Sequence, residues 1–111
     1  LRTVGSLAVS MPDEHLSEPV ISQTASLFSA LAHPGRLRIL LALTQRAPRS
    51  ATELAELSGL EQTAASHQLR LLRKVRLISA QRAGRQVLYS LADSHVSHII
   101  LDAIAHVQEE Q

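Results

Sequence analysis

The sequence predicts a mainly α-helical domain with one β-hairpin, an α+β fold, and three observations predict it. Hydrophobic residues make up 45% of the chain while aromatics make up 2%, so the core is built from Leu, Ile, Val and Ala, which suits packed helices. Apolar residues recur at helical spacing from Val20 to Leu72. Beyond Arg76 the pattern changes to two strand-like runs, Leu77 to Gln81 and Val87 to Leu91, around Ala83-Gly84-Arg85.

Each element has its own signal. From Pro19, the positions Val20, Ala25, Leu27, Phe28 and Leu31 predict a helix to about Ala32. Pro34 suits a first helical turn, and Leu37, Ile39, Leu40, Leu41 and Leu43 make a second, well-buried helix. Pro48 and Arg49 mark a loop. Ser50 followed by Glu53 is a capping-box pattern that opens a short helix, and Gly59 ends it. Glu61 or Gln62 starts the next helix, with Ala65, Leu69 and Leu72 inside and Arg70, Arg73 and Lys74 outside. Asp93 caps a last helix running to about Glu109. A short capped helix, a Gly turn and a basic helix make a helix-turn-helix, and the Arg-bearing hairpin makes it winged.

The 111 residues fit one domain. Residues 1–17 lack periodicity and read as a flexible N-terminal arm; residues 18–111 read as the folded domain. So small and aromatic-poor a core gains from dimerisation through the first and last helices. Zero Cys excludes disulfides, thiolate metal sites and Cys nucleophiles. No apolar run approaches the roughly 20 residues that span a bilayer. The stretch Leu1 to Ser10 has one Arg and too short an apolar run for a signal peptide, and Met11 reads as the natural start. A cytoplasmic protein without a membrane partner is expected.

The net charge of +1 hides strong segregation. Residues 1–35 carry −2. Residues 36–85 carry ten Arg or Lys against Glu53, Glu56 and Glu61, a net of +7. Residues 86–111 have no Lys or Arg and carry −4 through Asp93, Asp102, Glu109 and Glu110. A basic middle calls for a polyanion, here double-stranded DNA. The N-terminal part of a recognition helix reads base edges while cations hold phosphates. Gln62, Thr63, Ser66, His67, Arg70 and Arg73 fit that division, and Arg82 and Arg85 flank the hairpin tip where a wing meets backbone or minor groove. His67 has two readings, a hydrogen-bonding residue within the helix packing or a base contact.

The acidic tail calls for a cation. On a helix at about 100° per residue, His95, Asp102, His106 and Glu109 share one face. His95 and His106 lie eleven residues apart, about 16 Å along the axis. Bonds of about 2 Å to a metal cannot bridge that within one helix. Two antiparallel copies across a two-fold axis resolve the spacing: Asp93 and His95 of one chain meet His106 and Glu109 of the other. A closed set of two imidazoles and two carboxylates suits zinc(II). His98 and Asp102, nearby on the helix, are weaker candidates. A second reading makes the tail a dimerisation helix alone.

With these residues in place the chain resembles the ArsR/SmtB family of winged-helix metal-sensing repressors over about residues 24–110. The resemblance rests on Leu31-Ala32-His33-Pro34-Gly35-Arg36-Leu37-Arg38-Ile39-Leu40, on Ser66-His67-Gln68-Leu69-Arg70-Leu71-Leu72-Arg73 and on Gly84-Arg85-Gln86-Val87-Leu88-Tyr89-Ser90-Leu91. The set Asp93, His95, His106 and Glu109 resembles the zinc-responsive branch. The resemblance implies a metal-free dimer that represses and leaves its operator on binding metal, with His106 reaching a backbone carbonyl around Arg76. Cobalt(II) and nickel(II) sensors share parts of this set. The Cys pair of the arsenic, lead and cadmium branches would fall near Ala51 to Leu54 and is missing. An enzyme is not expected. Four protein ligands leave no open position for water, Ser66 and His67 diverge on a helix, and no small organic substrate is indicated.

Overall fold

The computed structural model describes residues 16–109. Eight elements follow in order: α1 (Glu18–Leu31), α2 (Pro34–Gln45), β1 (Arg49–Ser50), α3 (Ala51–Ser58), α4 (Gln62–Lys74), β2 (Ile78–Ala83), β3 (Gln86–Leu91) and α5 (Ser94–Glu109). The expected arm over 1–17 lies outside the described residues except for Leu16 and Ser17. Ser17 precedes α1 and caps its N-terminus, the side chain accepting from the Val20 N–H.

Side chains close the N-termini of α2, α3 and α5, and those of α3 and α5 are the caps the sequence predicts. His33 caps α2 ahead of Pro34, its Nδ1 accepting from the Arg36 N–H at 3.2 Å. Ser50 and Glu53 form the reciprocal capping box of α3. Gly59 ends α3 at φ +74°, a left-handed conformation that suits glycine. Asp93 opens α5, with Oδ1 accepting from the N–H groups of His95 at 2.9 Å and Val96 at 3.3 Å.

The sheet has one strand more than the hairpin. β2 and β3 pair antiparallel from Ile78–Leu91 to Ala83–Gln86, and β1 pairs with the other edge of β3 through Arg49–Tyr89 and Ser50–Leu88. The order is β1-β3-β2. Reading Arg49 as loop misses β1, because two residues are too few to show alternation.

The core is aliphatic. Ile39 and Leu40 of α2, Leu54 of α3, Leu69 and Leu72 of α4, and Leu77 are fully buried, with Val96 and Ile100 of α5 beside them. No residue of α1 is buried. Its apolar side chains Leu27, Ala30 and Leu31 pack only at the margin of the core.

The end of α4 is unusual. The N–H of Leu77 bonds the carbonyl of Leu72 at 2.9 Å and that of Arg76 bonds Arg73 at 3.0 Å, a Schellman closure. The left-handed position in such a closure is usually glycine; here it is Arg76, at φ +62°. Arg76→Gly should therefore raise stability by about 0.5–1 kcal/mol, read as a higher urea midpoint at unchanged slope.

Glu53 generates a pH prediction. Its bond from the Ser50 backbone N–H, helped by Arg46 and Arg49, holds its carboxyl below the ordinary value of 4.5. A depressed carboxyl contributes stability that is present above its unfolded value and lost as pH falls through the folded one. Acid titration of the parent should show this loss below pH 4.5, and Glu53→Gln should remove that part of the pH dependence. An unchanged acid profile in the variant would contradict the assignment.

Candidate nucleic-acid interface and metal face

α4 sorts its side chains by side. Ala65, Leu69 and Leu72 face inward, while Gln62, Thr63, Ser66, His67, Arg70, Arg73 and Lys74 are exposed. At about 100° per residue these fall on one outer arc. The structure thus brings the six helix residues expected to read DNA onto one face. His67 is among them, so its ring is not part of the helix packing. Arg82 and Arg85 are exposed on the hairpin, either side of Gly84 at φ +65°.

Three cations of the basic segment are engaged within the protein. The Arg36 guanidinium donates from Nε to the Ala30 carbonyl at 2.8 Å and from Nη1 to Gln68 Oε1 at 3.0 Å. Arg49, its side chain only 11% exposed, donates to the Ala42 carbonyl and lies 3.8 Å from Glu53. Arg46 pairs with Glu53 at 2.8 Å. For Arg46 and Arg49 the signal was Glu53, in the same capping box. For Arg36 the partner Gln68 is 32 residues away, and nothing in the local sequence announces it.

The metal candidates occupy the solvent side of α5. Val96 and Ile100 point to the core; His95, His98, Asp102, His106 and Glu109 are exposed. Asp93 Oδ1 and His95 Nδ1 stand 3.4 Å apart, with side chains 56% and 87% exposed. The structure brings this pair together and sets His106 and Glu109 toward the far end of the same helix. Among the described residues, no three of His, Cys, Asp and Glu stand close enough within one chain to hold a metal ion.

Beside that face runs an apolar cleft of about 440 Å³ between α1, α2 and α5. Phe28, Leu31, Leu37, Ile99, Ala103 and Val107 line it. Phe28 is 53% and Val107 56% exposed, a large apolar surface open to water.

Comparison with known proteins places these features. The model of the arsR family of bacterial regulatory proteins matches residues 33–80. The HTH-type transcriptional regulator NmtR of Mycobacterium tuberculosis is 46% identical over 95 residues, 86% of this chain and 78% of that one. A homodimeric winged helix-turn-helix DNA-binding domain of Mycobacterium bovis superposes with a TM-score of 0.78 at 27% identity, covering 94% of this chain and 93% of that one. The AntR antimony-specific transcriptional repressor superposes at 0.76 and 30% identity, over 96% and 97% of the two chains. The chain belongs to the arsR family of bacterial regulatory proteins and is a DNA-binding transcriptional regulator, not an enzyme.

Proposed function

We propose that the protein is a dimeric transcriptional repressor that leaves its operator when a metal ion, zinc(II) by preference, binds between the α5 helices of two chains. The observation that carries this reading is the division of α5. One side is buried in the core, the opposite side carries Asp93, His95, His106 and Glu109, and an unpartnered apolar cleft lies between them. A second copy laid antiparallel on that cleft covers Phe28 and Val107. It also carries its own His106 and Glu109 to the first chain's Asp93 and His95. The homodimeric relative supports the pairing, and the antimony-specific repressor supports a sensing role for a member of this fold.

The donor set fits a closed zinc site, two imidazole nitrogens and two carboxylate oxygens. Asp93 uses Oδ1 to cap α5 and keeps Oδ2 for a ligand. When bound, the metal supplies positive charge between two acidic tails. Each tail from residue 86 onward carries −4, so two metal-free tails repel one another and stay loosely coupled. Cobalt(II) and nickel(II) accept the same donors. On DNA, Gln62, Thr63, Ser66 and His67 would read bases from the N-terminal half of α4; Arg70, Arg73, Arg82 and Arg85 would hold phosphates or guanine.

Operator binding should be steeply salt dependent. With about 6–10 phosphates contacted per dimer, log affinity falls against log salt with a slope near −5 to −9. Arg73→Ala should weaken all duplexes alike, and Gln62→Ala or Ser66→Ala should narrow the gap between operator and random DNA. A flat salt response would contradict the basic face.

The switch is tested with His106→Gln. That variant should remain a dimer by light scattering, bind operator without metal as the parent does, and lose zinc-driven release. The expected scale of release in the parent is about 5–150-fold in affinity. A variant that leaves operator at the parent's zinc concentration would show that α5 is not the sensor.

A further inference from the structure

We infer that Arg36 is a positioning residue for operator binding, holding the recognition helix α4 at an angle set by α1 without touching DNA. This rests on the regulator reading of α4 and adds to it.

Arg36 stands where three helices meet. Its backbone N–H is capped by His33 at the start of α2. Its Nε closes the carbonyl of Ala30 in the last turn of α1 at 2.8 Å, one of the orphan carbonyls that every helix end leaves. Its Nη1 donates to Gln68 on α4 at 3.0 Å. One planar guanidinium thereby ties the end of α1, whose own residues are nowhere buried, to the middle of the helix that faces DNA.

The tie does something the core does not. Ala65, Leu69 and Leu72 hold α4 by apolar contact, which is non-directional and tolerates a small roll about the axis. A hydrogen bond has a direction and a narrow range of length. For a helix about 5–6 Å in radius, a 20° roll moves outer side chains by about 2 Å, enough to spoil base readout. Gln68 sits directly after His67 and two residues from Arg70, so fixing its amide fixes the angle at which both leave the helix. A half-buried guanidinium with two fixed acceptors is also a poor phosphate ligand, because contacting DNA would mean giving those bonds up.

The test is a double-mutant cycle on operator affinity, by fluorescence anisotropy on a duplex selected by the parent protein from random DNA. Arg36→Ala and Gln68→Ala should each weaken binding about tenfold, and the double variant should be no weaker than either single one. The slope of log affinity against log salt should stay at the parent's value, since no phosphate contact is lost; removing one would lower it by about 0.9. Gln68→Glu keeps an oxygen facing Arg36 and should stay within about threefold of the parent. Additive losses, a reduced salt slope in Arg36→Ala, or a Gln68→Glu variant as weak as Gln68→Ala would each overturn the inference. If Arg36→Ala does not fold, the contrast between the two Gln68 variants decides alone. A parent that selects no duplex at all overturns the regulator reading itself; a parent that binds while every variant binds equally overturns only the role of Arg36.

Discussion

The rest of the structure depends on the burial of one side of α4. Leu69 and Leu72 share one core cluster with Ile39, Leu40 and Leu54, without aromatic bulk, and Ala65 is fully buried on the same side of the helix. Because a helix repeats every 3.6 residues, seating those three leaves one orientation for everything on the other side. The closure at Leu77 extends the constraint. Arg76 takes a left-handed conformation so that the chain passes at once from α4 into the buried Leu77 and Ile78. The hairpin with Arg82 and Arg85 is therefore rooted three residues beyond the recognition helix, and the two basic surfaces are mounted on one body.

Charge is distributed by the same logic. The +7 of residues 36–85 is not a uniform patch: Arg36, Arg46 and Arg49 serve helix ends and the Glu53 cap. The cations left over are on α4 and the hairpin, apart from Arg38 on α2 and Arg76 between α4 and β2. Guanidinium groups serve both purposes because the same planar donor fork fits a helix carbonyl, a carboxylate or a phosphate. What separates the uses is the partner within reach: the Arg49 side chain, 11% exposed, is turned in to the Ala42 carbonyl, Arg46 meets Glu53 at the surface, and the cations along the outer arc of α4 are exposed.

Elements announced by local chemistry were legible in the sequence. The capping box at Ser50 and Glu53, the glycine at 59, the Asp93 cap and the hairpin around Gly84 involve partners within a few residues, and the structure shows each of them. β1 was not legible, because its two residues become a strand only by pairing with Tyr89 and Leu88. The boundary at Arg76 was legible from the change of pattern, but its left-handed backbone was not: no turn residue marks it, and it follows from the need to bury Leu77. The exposed face of α4 could be read from period alone, since apolar residues at Ala65, Leu69 and Leu72 leave the polar ones outside. Arg36 could not be read as structural, for its acceptors are the Ala30 carbonyl on α1 and the Gln68 side chain on α4, in other elements.

α5 shows why the proposed metal set needs symmetry. Its inner side is taken by Val96 and Ile100, so ligands on the same helix must look outward, toward solvent or toward a second chain. A helix gives neighbours at three or four residues, and His95 and His106 are eleven apart. Spacing of that kind is wasteful for a site within one chain and natural for an isologous pair, in which each end of the helix meets the opposite end of its copy. The cleft beside it points the same way: Phe28 comes from α1 and Val107 from α5, the helix that bears the ligands. Covering the cleft and completing the ligand set are then one event. Placing α1, tied to α4 through the Arg36 junction, on that same surface makes the geometry of the pair of chains the natural input to the angle of the recognition helix.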